Sequence, residues 1–321
     1  MLLQKDKAPS YEGIPVFLRL HNIDLELSKY PDEKKAVELA KTLGWRKALE
    51  SVYGQGMVAY SSDPRRSRFL DLLPLTRDMV VLEIGVGFGQ HTAEIASRVK
   101  HLDTLELHLL NSLFTKLRCE QTGATNVAFA CGGDDCSLPF SDGLYDAVIL
   151  NLVLEWCGSA NPQVPALESQ QKLLSEIHRV LKPNGLLQLS TKNRFAYRLL
   201  VGGRDEHAYE LPFGSALPRW MLKLILKLKG KASSSGYLHS YGALAKLLRN
   251  AGLSPEASYW AVPEMRFAEQ YIPTDVKSIR DARRTLIKQS STKTTEILMR
   301  ATPARLVRYF TPGLFFLARK R

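Results

Sequence analysis

Apolar positions along this chain fall into two alternating patterns. Short runs such as Met79-Val80-Val81-Leu82, His101 to Leu107, Asn126 to Ala130, Tyr145 to Asn151 and Leu186 to Ser190 have the length and composition of strands buried on both faces. Between them, His91 to Ala96, Leu113 to Gln121 and Gln170 to Val180 carry helical periodicity. The alternation continues through a helix over Tyr241 to Asn250 and strands over Ala257 to Val262 and Leu314 to Ala318, and it predicts an α/β fold. Upstream, Pro31 opens a helix that Gly44 ends, Trp45 to Val52 is a second apolar-periodic segment, and Arg65 to Leu73 a third. Residues 1–75 therefore read as an N-terminal helical extension packing on a sheet edge, from which Tyr53, Gly54, Gln55 and Tyr60 could reach a site.

The first strand leads into Glu83 and then into glycines at alternate positions, Gly85, Gly87 and Gly89, before a helix begins. Glycine admits positive φ and lets a ligand approach the backbone. A dinucleotide fingerprint would need G-x-G-x-x-G, and Gln90 stands where its last glycine belongs. The second strand ends at Glu106, about one βαβ step beyond Gly85, where a carboxylate can accept hydrogen bonds from both hydroxyls of a ribose. Asp103 is the alternative if that strand is shorter. Asn151 closes the fourth strand at its carboxyl end, where open α/β sheets hold their ligands.

The run E-x-G-x-G-x-G resembles motif I of the class I S-adenosyl-L-methionine (SAM)-dependent methyltransferases. Gly132-Gly133-Asp134-Asp135 followed by Leu138-Pro139-Phe140 is similar to their adenine-side segment, and His178-Arg179-Val180-Leu181-Lys182-Pro183-Asn184-Gly185 to the stretch before their fifth strand. The resemblance, methyltransferase type 11-like, covers Val80 to Thr191. It implies a Rossmann-like, seven-stranded, mostly parallel sheet over 76–321, with substrate-side insertions at about 192–240 and 263–310. It implies S-adenosyl-L-methionine as cofactor, with Glu83, Gly85, Gly87, Gly89, Glu106, Asp134, Asp135 and Asn151 around it. Asp134 would take the adenine amino group, with Asp135 adjacent.

Beyond Thr191, Asn193-Arg194-Phe195, Asp205-Glu206-His207 and Leu217-Pro218-Arg219 resemble a subgroup found with bacterial cell-surface polysaccharide biosynthesis genes. The expected reaction is an SN2 methyl transfer to a hydroxyl oxygen of a glycan or related small acceptor. A histidine beside a carboxylate suits proton removal, so His207 and Asp205 are the catalytic candidates. Methyltransferases of this class also work by holding the nucleophile in line, so there need be no dedicated base.

Charge changes the picture in the second half. The net charge is +12, yet from Thr191 onward Lys and Arg number 24 against 9 acidic residues. An acidic partner is implied: an anionic membrane surface, a charged glycan or nucleic acid. Pro218 to Lys231 reads as a basic amphipathic helix, either a peripheral membrane contact or a lid over the substrate. Arg280, Arg283, Arg284 and Lys288 form a candidate anion-binding face. RNA methylation through this basic half, or SAM binding without turnover, are the alternative functions, although no RNA-binding module is recognisable. Four cysteines without C-x-x-C spacing, no bilayer-length apolar run and no signal-peptide core predict reduced thiols, no metal and a cytoplasmic protein, peripheral at most to the inner face of the membrane.

Overall fold

The computed structural model describes residues 8–231, 236–285, 297 and 300–321. In chain order, β1 (Ser10–Tyr11) and β2 (Ile14–Phe17) precede α1 (Ile23–Lys29), α2 (Pro31–Leu43), α3 (Trp45–Tyr53), α4 (Gln55–Ser62) and a 3-10 stretch over Pro64–Leu72. Then come β3 (Val80–Ile84), α5 (Thr92–Arg98), β4 (His101–Glu106), α6 (Leu109–Gln121), β5 (Val127–Gly132) and β6 (Tyr145–Asn151). The chain continues with α7 (Ala166–Val180), β7 (Leu181–Lys192), α8 (Tyr197–Leu200), β8 (Arg204–Asp205), β9 (Leu211–Pro212) and α9 (Arg219–Leu228). It closes with α10 (Tyr241–Asn250), β10 (Leu253–Val262), β11 (Gln270–Pro273), α11 (Val276–Thr285) and β12 (Gly313–Lys320).

Two compact units divide these elements. The first comprises residues 1–150, 172–187 and 320–321, and the second 151–171 and 188–319. In the first, the strands run in the order β1-β2-β5-β4-β3-β6-β7; the second has the order β7-β12-β10-β11, with β7 contributing residues to each. Among the described residues, ten strands thus stand in these two orders, besides the β8–β9 pair, where seven are expected. The additions are β1 and β2, which the helical reading of the N-terminus misses, and β11, which pairs antiparallel with β10. They escape sequence reading because each is no more than four residues long, too short for a period to show.

The expected parallel character holds. β3 pairs parallel with β4 and β6, β4 with β5, and the added β2 with β5 through Val16 opposite Cys131 and Phe17 opposite Gly132. Continuous burial from Val81 to Ile84 and from Leu102 to Glu106 explains why these strands read as unbroken apolar runs. Helix α2 begins with Pro31 at its first turn and ends at Gly44, whose φ of 84° no β-carbon tolerates easily. Its Ala36, Val37 and Ala40 pack with Trp45, Ala48 and Leu49 of α3, Leu110 and Phe114 of α6, and Ile14 of β2. The N-terminal helices therefore share one core with the sheet edge that β2 extends.

A polar contact sits at the centre of the first unit. The buried Tyr145 hydroxyl donates to Asp103 Oδ2 at 2.9 Å, while His101 Nε2 lies 3.1 Å from Oδ1. Asp103 is thus committed to its own sheet, which leaves the strand end to Glu106. Tyr145→Phe removes that donor from a buried carboxylate, and we expect a stability loss of about 1–3 kcal/mol, read by urea unfolding.

Candidate functional site

The glycine turn is held from three sides in the first unit. Gly85 N–H donates to Leu105 O at 2.8 Å, across to the neighbouring strand. From α6, Thr115 Oγ1 donates to Gly87 O at 3.0 Å and Arg118 Nη1 to Phe88 O at 2.8 Å. The second nitrogen of Arg118 donates to Ser61 O at 2.9 Å, tying the turn to α4. Gly89 is required here twice over: its φ is 71°, and a β-carbon would come within 2.9 Å of Thr115 Cγ2. The Phe88 ring lies 5.5 Å from that of Tyr53, so one residue of the N-terminal extension does touch the turn. The Tyr53 hydroxyl is buried with no hydrogen-bond partner.

Glu106 sits at the carboxyl end of β4. Its Oε2 accepts from Gly87 N–H at 3.0 Å and its Oε1 from His108 N–H at 3.1 Å. Each oxygen still has capacity to accept a further donor. Glu83, at the end of β3, is fully buried, and its Oε2 has no hydrogen-bond partner. Burial pushes its carboxyl up to about 8, with the Thr92 hydroxyl opposing and the charge of Glu106 adding to the rise.

Asp134 is placed differently. Its oxygens accept from the backbone N–H groups of Arg19 (3.0 Å to each), Leu20 (2.6 Å), His21 (3.1 Å) and Asp135 (3.1 Å). That set fills the lone pairs of a carboxylate, so an adenine amino group would have to displace one of these donors. Asp135 accepts from Lys172 Nζ at 3.0 Å and from the Ser137 hydroxyl at 2.9 Å. Burial works against its charge, but these hydrogen bonds hold it below the ordinary carboxylate range. The Arg19–His21 strap had no sequence signal, because it acts through main-chain N–H groups that any residue supplies. Together with Leu138-Pro139-Phe140 and Arg179, the segment from Val16 to Arg19 lines a cavity of about 420 Å³.

The second unit holds the other candidates. Asn151 Oδ1 accepts from the Ser190 hydroxyl, and Leu152 N–H from the next position donates to Ser190 O at 2.8 Å. Asp205 does not orient the His207 ring. It caps the 3-10 turn that follows it, Oδ1 accepting from His207 N–H at 2.9 Å and Oδ2 from Ser215 N–H at 2.6 Å. The carboxylate nearest the imidazole is that of Glu206, whose Oε1 lies 3.4 Å from Nε2. Glu206 also pairs with Lys192 Nζ and with Arg266 Nη2 at 3.2 Å. His207 is wholly buried, its ring centre 4.4 Å from that of Trp156 with the planes tilted by 48°, and neither ring nitrogen has a hydrogen-bond partner. Burial, then the charge of Lys192, pushes its pKa down to about 4, so the ring is neutral across the physiological range. Burial likewise lowers Lys192 to about 8, with Arg266 adding to the effect. Sequence reasoning missed Lys192 and Arg266, which lie 15 or more positions from His207 with no motif linking them.

Arg280 and Arg283 belong to α11, while Lys288 and the side chain of Arg284 lie outside the described residues. Among the described residues no cluster of ligating side chains could hold a metal ion, and all four cysteines are free thiols. No described helix is long and apolar enough to cross a membrane.

Residues 82–189 match the family described as a methyltransferase domain. That stretch runs from the end of β3 to the middle of β7 and contains the turn, Glu106 and the Asp134 loop. Among curated proteins, the chain is 29% identical over 124 residues to malonyl-[acyl-carrier protein] O-methyltransferase of Marinomonas sp., covering 39% of this chain and 42% of that protein. It is 31% identical over 152 residues to the enzyme of the same name from Herminiimonas arsenicoxydans, covering 46% and 52%. The chain spans about half the length of the curated relatives it matches. Among solved structures, an S-adenosylmethionine-dependent methyltransferase from Mesorhizobium loti aligns over 78% of this chain and 95% of its own, at 17% identity and a TM-score of 0.46.

The cofactor of such a domain is S-adenosyl-L-methionine, and the donor set of the first unit fits it. An orphaned carboxyl oxygen on Glu83, acceptor capacity on Glu106 and a turn of glycines, none with a side chain to obstruct a ligand, suit a cation carrying an amino-acid group and a ribose. The first unit would hold it through Glu83, the main chain of Gly85 to Gly89, and Glu106. When bound, the group supplies a sulfonium-activated methyl.

Two outcomes follow. Glu106→Ala weakens S-adenosylhomocysteine binding by about 2 kcal/mol, roughly thirtyfold, in calorimetric titration. Glu83 keeps its proton in the folded state up to about 8, against 4.5 as its ordinary value. Its contribution to stability is therefore present below the ordinary value and is lost as pH rises through the folded value. Denaturation midpoints measured across that window should decline in the wild type and decline less in Glu83→Gln.

Proposed function

We propose that the protein transfers a methyl group from S-adenosyl-L-methionine to an oxygen of a small acceptor, a hydroxyl of a glycan or a related molecule. The observation that carries this reading is the Glu83–glycine turn–Glu106 arrangement inside a matched methyltransferase domain. Oxygen as the accepting atom is supported by the relatives, since those named above are O-methyltransferases and a further one, 35% identical over 99 residues, is the protein-L-isoaspartate O-methyltransferase of Photorhabdus laumondii. The glycan acceptor rests on the similarity of Asn193-Arg194-Phe195, Asp205-Glu206-His207 and Leu217-Pro218-Arg219 to the polysaccharide-associated subgroup.

When bound, the cofactor would supply a sulfonium-activated methyl for the acceptor oxygen, and His207 is the group of the second unit whose chemistry suits taking the proton that the oxygen loses. A buried, neutral imidazole with two unmatched nitrogens is ready to accept it. Glu206 stands beside the ring to balance the imidazolium, and Lys192 and Arg266 fix Glu206. Asp205 is a positioning residue, because it shapes the turn that carries His207.

A second reading has a specific observation behind it: Lys192 and Arg266 converge on one carboxylate. The same pair could receive a carboxylate acceptor, as the name of the malonyl-[acyl-carrier protein] enzymes suggests for them. The product separates the two readings. Labelled methyl transferred to a hydroxyl is an ether and survives mild alkali, whereas a methyl ester releases methanol.

The test is methyl transfer from labelled cofactor to a panel of oligosaccharides, small carboxylic acids and RNA, with Glu106→Ala as control. We expect alkali-stable label on an oligosaccharide. His207→Gln should lower turnover by about a hundredfold with S-adenosylhomocysteine affinity unchanged. The acid limb of the rate profile should lie near 4, since the ring must be neutral to accept a proton. An acid limb and turnover unchanged in His207→Gln would exclude His207 from that role, and transfer to RNA alone would overturn the small-acceptor reading.

A further inference from the structure

Helix α9 shows two apolar faces, and among the described residues only one of them is covered. Leu222 and Leu226 are buried against Ala208, Leu211 and Leu217 of the second unit. On the other side, Trp220, Leu224 and Leu228 follow one another at four-residue spacing and are 67%, 52% and 80% exposed. At 100° per residue these three span one stripe, and Lys223 and Lys227 border it along a single edge. Lys229 and Lys231 continue the positive charge past the C-terminus, and Lys231 Nζ lies 4.9 Å from the ring centre of Tyr209, itself 46% exposed. Between Leu211 and Lys231 the chain has five cations and no carboxylate.

We propose that this face of α9 docks in the plane of an anionic lipid bilayer, with the Trp220–Leu224–Leu228 stripe entering the acyl boundary and the lysines meeting lipid phosphates. An exposed tryptophan and two exposed leucines on one face leave a water-facing apolar surface that a helix of a soluble domain normally turns inward. Tryptophan favours the headgroup level, where its ring is in hydrocarbon and its N–H in a wet layer. Lysines along the edge of such a stripe supply attraction to acidic headgroups while their stems lie on the apolar surface. A protein partner fits less well, because protein interfaces are depleted in lysine. Nucleic acid fits less well too, because exposed leucines have nothing to pair with on a phosphate chain. The opposite face of α9 is anchored in the fold, so the stripe is presented by a formed helix and need not order itself on binding. The inference does not depend on the methyl-transfer reading, since none of these residues belongs to the candidate cofactor or proton-transfer groups.

The experiment is flotation of the full chain with vesicles of phosphatidylcholine alone and of equal parts phosphatidylcholine and phosphatidylglycerol. We expect partition to the anionic vesicles only, weakened by high salt. Lys223→Gln with Lys227→Gln should lower the partition coefficient by about tenfold or more, and Leu224→Ser with Leu228→Ser by at least about tenfold. These positions are exposed, so thermal melting should match the wild type. Vesicles with brominated acyl chains should quench tryptophan emission in the wild type and lose most of that quenching in Trp220→Phe. Equal binding to neutral vesicles, a wild-type protein that stays unbound, or variants that float unchanged would each overturn the proposal. So would binding to a nucleic acid homopolymer that competes fully with anionic vesicles and depends on the same two lysines.

Discussion

The carboxylate of Glu106 ties together two pieces of main chain that belong to different elements. One oxygen takes the N–H of Gly87 and the other that of His108. The first belongs to the turn after β3 and the second to the start of α6, so a single side chain sets the mouth at the ends of β3 and β4. Hydrogen bonds to a charged acceptor in a buried setting are shorter and stronger than neutral ones. The turn depends on this acceptor because its backbone has departed from any repetitive structure. Past Gly85 the left-handed glycines leave the strand ladder, so each buried N–H there needs a named partner. Thr115 and Arg118 then hold the carbonyls of the same turn from α6.

Buried charge is handled in opposite ways by the two units. In the first, no ion pair to Glu83 forms among the described residues, and burial favours its neutral form. A cationic ligand would find there an acceptor whose charge has been withheld by desolvation and can be released on binding. The second unit places Glu206 among Lys192, Arg266 and His207, so the carboxylate is compensated while the imidazole is kept neutral by its cationic neighbours and its burial. Near Glu206, Thr191 donates to the buried carboxyl of Glu155 at 2.7 Å, and Gln170 bridges Leu154 O, Tyr237 O and His239. These bonds add a buried polar network to the same unit, which is a costly arrangement for a domain whose only task is to fold.

Local signals were legible where the main chain must do something that only one residue type allows. Gly85, Gly87 and Gly89 announced a turn, Pro31 and Gly44 bounded a helix, and Glu106 marked the strand end that its spacing from Gly85 assigned. The parallel strands were legible for a similar reason: burial on both faces demands an unbroken apolar run, as in Val81-Leu82 and Val148-Ile149-Leu150. Each of these is a constraint that a stretch of a few residues imposes on itself.

What tertiary structure decided was partnership. Asp134 reads as a ligand-facing acid, yet the N–H groups of Arg19 to His21 fill it, more than a hundred positions away. Asp205 stands two residues from His207 but serves the backbone, while Glu206 takes the place beside the ring. The strands β1, β2 and β11 exist because a sheet edge offers unpaired groups to any short segment brought alongside. The exposed stripe of α9 was visible as an amphipathic pattern, but which of its two apolar faces is covered depends on Ala208, Leu211 and Leu217. Composition and spacing thus determined the order of elements and the chemistry of the turn, because those follow from local backbone and burial rules. Pairing of side chains, edges and faces required the folded chain, because hydrogen bonds and apolar contacts form between surfaces that only long-range packing brings together.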